Sequence, residues 1–109
     1  MRLVIEIDEK QHIDSYLSIL SIGILSCIEK GVVTVEEAMG ILYNPMLISM
    51  FESVSPSLSD AIHLGTELED VASIIPTKLS ESIAQIKEIN YGCVKFTQDN
   101  NQHVFYRIE

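Results

Sequence analysis

The stretch QHIDSYLSILSIGILSCIEK, residues 11–30, decides the fold of this chain. Its apolar side chains recur at helical spacing along one stripe, formed by Ile13, Tyr16, Leu17, Leu20, Ile24 and Cys27 or Ile28. Ile19, Ile22 and Leu25 widen that stripe until the helix is apolar nearly all round. The pattern therefore predicts a central, largely buried helix. Gly31 is well placed to end it in the left-handed conformation.

Both ends of the chain alternate between apolar and polar residues, as strands do. Residues 2–8 alternate before the helix, and residues 93–98 and 102–108 alternate around the turn-forming stretch Asp99-Asn100-Asn101. Gly92 is expected to separate this hairpin from the preceding helix. We therefore predict a single α+β domain over residues 1–109. Its small antiparallel three-stranded sheet, the N-terminal strand plus the C-terminal hairpin, would pack against several helices.

The middle of the chain carries local signals for helix ends. Thr34 and Glu37 form a capping box, and Thr66 and Glu69 repeat its spacing. Asn44-Pro45 and Ser55-Pro56 each resemble an N-cap followed by proline at the first helical position. These signals predict short helices over about 34–42, 45–53 and 56–64, the last closed by Gly65, and a longer amphipathic helix from Leu79 to about Asn90.

The segments IHLGTELEDV, residues 62–71, and IPTKLSESI, residues 75–83, carry a family resemblance. The chain resembles a family of roughly hundred-residue proteins from bacilli and related bacteria, catalogued as a domain of unknown function. The resemblance covers about the central two-thirds of the chain and implies no catalytic residues. It says least about the C-terminal hairpin, where the chain is expected to depart from the family pattern.

The distribution of charge favours a basic protein partner. The net charge is −9, and no Lys or Arg occurs between Lys30 and Lys78. An acidic stretch repels phosphate backbones and anionic headgroups, so nucleic-acid and membrane binding are disfavoured. Acidity that serves solubility alone is the competing interpretation. The first residues show no apolar targeting segment followed by a cleavage site, so a cytoplasmic location is expected.

No motif for catalysis, a metal or a cofactor stands out. Cys93 and His103 fall on facing strands of the predicted hairpin, but a packed thiol and a surface histidine are favoured over a catalytic pair. Asp60 and His63 precede further acids beyond Gly65 at no recognised metal spacing, which favours a solvated turn. Glycines occur singly, so no phosphate loop is present. We expect the cysteines to be reduced and the protein not to be an enzyme. A polar pocket around His63 or His103 would instead favour an enzyme or a small-ligand binder.

Two hypotheses for function follow from these observations. The first is a small acidic protein-binding module, an immunity or inhibitor protein that blocks a basic partner such as a toxin or nuclease. The second is a homo-oligomeric structural or regulatory module of a mobile element or phage, assembled through a sheet edge or through Met39, Met46 and Met50. The residues predicted to bind the basic partner are Glu36, Glu37, Tyr43, Glu52, Asp60, Glu67, Glu69 and Asp70.

Overall fold

A computed structural model describes residues 1–96, 99 and 101–109 of the chain. Strand β1 leads into a long helix, a series of shorter helices follows, and strand β2 ends the chain. The elements are β1 (Leu3–Ile7), α1 (Lys10–Glu29), α2 (Val35–Ile41), α3 (Pro45–Glu52), α4 (Pro56–Thr66), α5 (Leu68–Ile74), a 3-10 turn (Pro76–Lys78), α6 (Leu79–Cys93) and β2 (Val104–Ile108).

The sheet contains two antiparallel strands, β1 and β2, so the prediction of three strands is wrong. Helix α6 continues through Gly92 to Cys93, where the third strand was expected to begin. The buried side chains Ile83, Ile86, Asn90 and Cys93 recur at helical spacing and hold this last turn against the core. Val94–Phe96 form no strand. Residues 97, 98 and 100 of the predicted hairpin lie outside the described residues.

The helix starts predicted at Thr34, Asn44 and Ser55 are confirmed, as is the helix end at Gly31. The Thr34 hydroxyl accepts a hydrogen bond from the Glu37 amide at 3.0 Å, and the Glu37 carboxylate accepts one from the Thr34 amide at 2.9 Å. Asn44 and Ser55 cap α3 and α4 just before their prolines. Gly31 has a φ of 76°, as expected for a left-handed residue after α1.

Two predictions around Gly65 are wrong. Helix α4 runs through Gly65 to Thr66, because Gly65 is buried against the ring of Tyr43. A Cβ atom at position 65 would lie 2.2 Å from Tyr43 Cδ1, so glycine is needed here for close packing. Thr66 forms no capping box: its hydroxyl donates to the His63 carbonyl at 2.6 Å, and α5 begins after Glu67 without a side-chain cap.

The hydrophobic core lies among the helices and is centred on Tyr43. This side chain is fully buried, and its hydroxyl lies 2.5 Å from the Ser21 hydroxyl of α1. Burial raises the pKa of Tyr43 to about 12. The other core residues are Ile24, Leu25, Ala38, Leu42, Leu58, Ala61, Ile62, Leu68, Ile83 and Ile86.

Helix α1 is rotated about its axis relative to the orientation that the sequence predicts. It buries a polar stripe formed by His12, Ser15, Ser18 and Ser21, and it leaves Ile19 48% and Leu20 37% exposed. Small serine side chains let α6 approach closely, and the Ser15 hydroxyl bonds the main chain of Lys95 just beyond α6. The predicted burial of the apolar stripe is therefore only partly confirmed: Ile24 is buried and Leu17 and Ile28 pack against the core, but Leu20 is exposed. Part of that stripe faces outward.

Candidate functional site

All seven carboxylates from the basic-free middle of the chain lie on the exterior. They are exposed on α2, at the end of α3, on α4, and where α4 meets α5. We call this set the acidic surface; it consists of Glu36, Glu37, Glu52, Asp60, Glu67, Glu69 and Asp70.

Lysine and arginine side chains do not neutralise the acidic surface within the described part of the chain. Lys78 pairs with Glu81 at 3.4 Å, Lys87 pairs with Glu29, and Arg107 pairs with Glu6 at 2.7 Å. Two carboxylates of the acidic surface have partners close in sequence instead. Glu67 Oε1 lies 3.3 Å from His63 Nε2, and the Glu37 carboxylate caps α2. The capping hydrogen bonds from Thr34 lower the pKa of Glu37. These carboxylates therefore present negative charge to solvent.

Tyr43, the apolar residue predicted to bind the partner, is not on this surface. It is fully buried beneath Gly65. The exposed apolar side chains of this region include Met46 and Met50 of α3, Ile41 of α2 and Ile74 of α5. Met39 is partly buried against the core.

A second surface lies on the ribbon formed by β1 and β2. In an antiparallel ladder, residues directly opposite one another project to the same face. Leu3 pairs with Ile108, Ile5 with Tyr106, and Ile7 with Val104. One face of the ribbon is thus entirely apolar, and we call it the apolar ribbon face. Tyr106 and Ile108 are 60% and 62% exposed, because the helices cover little of it.

A groove of about 340 Å³ separates the apolar ribbon face from helix α1. Its walls belong to the ribbon, to the outward stripe of α1 and to α3. The Tyr16 hydroxyl lies 3.2 Å from the Tyr106 hydroxyl and links helix to ribbon. The lining residues are Ile5, Ile7, Ile13, Tyr16, Leu17, Leu20 and Phe51. The groove is therefore apolar on every wall and suits apolar side chains better than a charged ligand.

A cluster of histidines and carboxylates lies where the ribbon joins α1. His103 Nδ1 is 2.7 Å from Asp8 Oδ1, and His103 Nε2 is 3.1 Å from Asp99 Oδ1. The His103 ring stacks on that of buried His12, with ring centroids 3.9 Å apart. Hydrogen bonds that the ring donates to Asp8 and, with smaller effect, to Asp99 raise the pKa of His103. The two carboxylates therefore favour the protonated form of His103, and these contacts tie the start of β2 to the start of α1.

A possible metal site among the described residues is formed by Asp8, His12 and His103. Their ligand atoms lie within 4.8 Å of one another. The two rings, however, lie at only 23° to each other. A metal ligand uses a nitrogen lone pair in the ring plane, and lone pairs from two stacked, nearly parallel planes do not meet at one ion. A shared ion would require at least one ring to rotate and lose the stacking. The geometry therefore favours the ion-paired imidazolium.

The structure does not bring together the catalytic pair considered from the sequence. Cys93 ends α6 in a buried position, and burial followed by the charge of Asp14 raises the pKa of its thiol. A raised pKa keeps the thiol protonated and weakly nucleophilic. His103 engages Asp8 and Asp99 instead. His63 is exposed beside Glu67 and does not line the apolar groove.

Sequence reasoning missed the groove and the histidine cluster. The alternation in residues 2–8 and 102–108 identified the apolar side of each strand, but it placed that side against the core. The meeting of His12 and His103 joins opposite ends of the chain, and no local pattern encodes it. The serines of α1, spaced at 15, 18 and 21, were the available signal that this helix buries a polar face.

None of the helices in the described ranges is both long and apolar enough to cross a membrane. The fold and surfaces define a small, mostly helical α+β protein with exposed carboxylates on its middle helices and an apolar groove beside a two-stranded ribbon. The chain belongs to the family described as protein of unknown function (DUF3969), whose profile matches residues 8–108. The match reaches into β2, so the expected departure at the C-terminus is wrong. No curated protein and no solved structure matches the chain.

Proposed function

We propose that this chain is a protein-binding module that acts in the cytoplasm and presents its acidic surface to a basic partner. The observation that carries the proposal is the exposure of seven carboxylates without lysine or arginine counter-ions in the described part of the chain. Such a surface accelerates encounter with an oppositely charged protein and discourages anionic partners. Exposed Met46 and Met50, on α3 beside Glu52, supply adaptable apolar contact.

The class of partner that fits best is an enzyme with a basic substrate cleft, such as a nuclease-like toxin. Enzymes that bind phosphate backbones place lysine and arginine along their clefts. A carboxylate-rich surface can occupy such a cleft and exclude the nucleic acid. In this proposal the chain is the immunity or inhibitor protein of that enzyme.

The test is affinity capture from the source cell with immobilised wild-type chain and two charge-reversed variants. Glu52→Lys with Asp60→Lys changes the acidic surface on α3 and α4. Glu81→Lys with Glu88→Lys changes the charge by the same amount on α6, outside that surface. Thermal unfolding confirms that both variants fold.

We expect a basic protein to be retained by the wild type and by the α6 variant and lost with the α3–α4 variant. The captured protein should also cleave nucleic acid, and the purified chain should inhibit that activity stoichiometrically. Equal retention by both variants would contradict the role of the acidic surface. A retained acidic protein would contradict the choice of partner.

A further inference from the structure

We infer that the apolar ribbon face is the interface of a homodimer, in which the same face of a second copy of this chain covers it about a two-fold axis. The inference goes beyond the proposed function, because the ribbon and the acidic surface are built from different elements. One chain can therefore use both surfaces at once.

The ribbon and α1 both expose side chains that their patterns would normally bury. Every cross-strand pair on this face of the ribbon is apolar, from Leu3 and Ile108 at one end to Ile7 and Val104 at the other. Helix α1 buries serines and turns Leu20 toward the groove. A two-stranded ribbon is marginally stable unless its apolar face packs on something. The ribbon wall and the α1 wall of the groove therefore lack the cover that would stabilise them.

The exposed apolar area is at least about half of what a standard dimer interface buries on each partner. Leu3, Ile5, Leu20, Tyr106 and Ile108 are between 37% and 62% exposed. At about 150–250 Å² for a large side chain, they present roughly 400–600 Å² of apolar surface. A standard interface buries about 800 Å² on each partner, including its polar rim. This face supplies the apolar centre of such an interface.

The charge of the ribbon allows a second copy of this acidic chain to dock on it. The arginines of the ribbon are already paired: Arg2 bonds Glu109, and Arg107 bonds Glu6 and Glu109. The ribbon therefore exerts little net field, and a chain of net charge −9 can approach it with less repulsion than at the acidic surface. A basic partner is drawn to the acidic surface instead. Two identical faces related by a two-fold axis bury one another's apolar pairs and close the assembly.

The test is the molar mass in solution, measured by sedimentation equilibrium over a concentration series. We expect the wild-type mass to rise from 12.2 kDa toward twice that value. Ile108→Lys should raise the dimer Kd about a hundredfold, because the two-fold axis places each substitution in the interface twice. Phe105→Lys is the matched control: it lies on the same strand but on the opposite face, opposite Glu6.

A wild-type mass that stays at 12.2 kDa at every concentration would overturn the inference. Dissociation by Phe105→Lys as complete as that by Ile108→Lys would overturn the choice of face. If Met46→Lys dissociates the dimer and Ile108→Lys does not, the interface lies on α3, and the choice of face is likewise overturned. If circular dichroism shows that Ile108→Lys is unfolded, Leu3→Ser carries the same expectation. Capture of a basic partner by a monomeric wild type would refute the dimer and leave the proposed function standing.

Discussion

The replacement Asn90→Leu should make the protein more stable. Asn90 is fully buried on α6, and neither its amide nitrogen nor its carbonyl oxygen has a hydrogen-bond partner among the residues described. It belongs to the buried stripe of α6 that includes Ile86 and Cys93, and α6 packs against α1, which turns its serines inward. Leucine has the same branched skeleton as asparagine but is larger, so it removes two polar atoms that lost hydration without gaining a bond and adds some crowding in the core.

The expected gain is about 1–3 kcal/mol, the cost of one unsatisfied buried polar group. At about 4–8 °C per kcal/mol for a domain near this size, Tm should rise by roughly 4–24 °C. Differential scanning calorimetry and urea unfolding measure the change. Asn90→Ala is the control, since it removes the amide but leaves a cavity and should gain less. A Tm several degrees below that of the wild type for Asn90→Leu would refute the reasoning, because it would mean that the amide is bonded and that α1 is oriented differently.

Three further predictions concern His103, Gly65 and metal binding. The pKa of His103 is raised by Asp8 and Asp99, so its ion pairs contribute stability that is fully present below about pH 6.5 and lost as pH rises through the raised pKa. As pH rises from about 6.5 through the raised pKa, Tm should therefore fall more in the wild type than in His103→Gln. Equal slopes of Tm against pH in the two proteins would contradict a stabilising positive charge on His103. Gly65→Ala should cost about 2–3 kcal/mol, measured by urea unfolding, because its Cβ would overlap the buried Tyr43 ring. Zinc added to the purified chain should leave Tm unchanged, and a rise that His103→Gln abolishes would show that the stacked rings rotate to bind an ion.

Features fixed by neighbouring residues were predictable from the sequence. Thr34 with Glu37, Asn44 before Pro45 and Ser55 before Pro56 each satisfy backbone amides within one turn, so their short spacing defines a helix start. The left-handed φ of Gly31 follows from the same local geometry. The exposure of all seven acidic-surface carboxylates agrees with the usual place of unpaired charge in proteins.

Features fixed by distant contacts were not predictable in this way. Gly65 reads as a helix end, but Tyr43 packs against it from another helix and the helix continues. Gly92 reads as a break, but the buried stripe ending at Cys93 outweighs the cost of one glycine, about 1 kcal/mol. The apolar stripe of α1 predicts an inward face, whereas packing against α6 selects the small serines. Each error arose where tertiary packing overrode a local preference.

The most direct test of the central claim, that the acidic surface attracts a basic partner, is the salt dependence of the association rate. Stopped-flow or surface binding would measure the association rate of the captured partner with three forms of the chain. These are the wild type, the α3–α4 variant that combines Glu52→Lys and Asp60→Lys, and the α6 control that combines Glu81→Lys and Glu88→Lys. We predict that added salt slows association steeply for the wild type and the control. The α3–α4 variant should associate about tenfold more slowly at low salt and respond much less to salt. Identical rates and salt slopes for all three proteins would contradict the account.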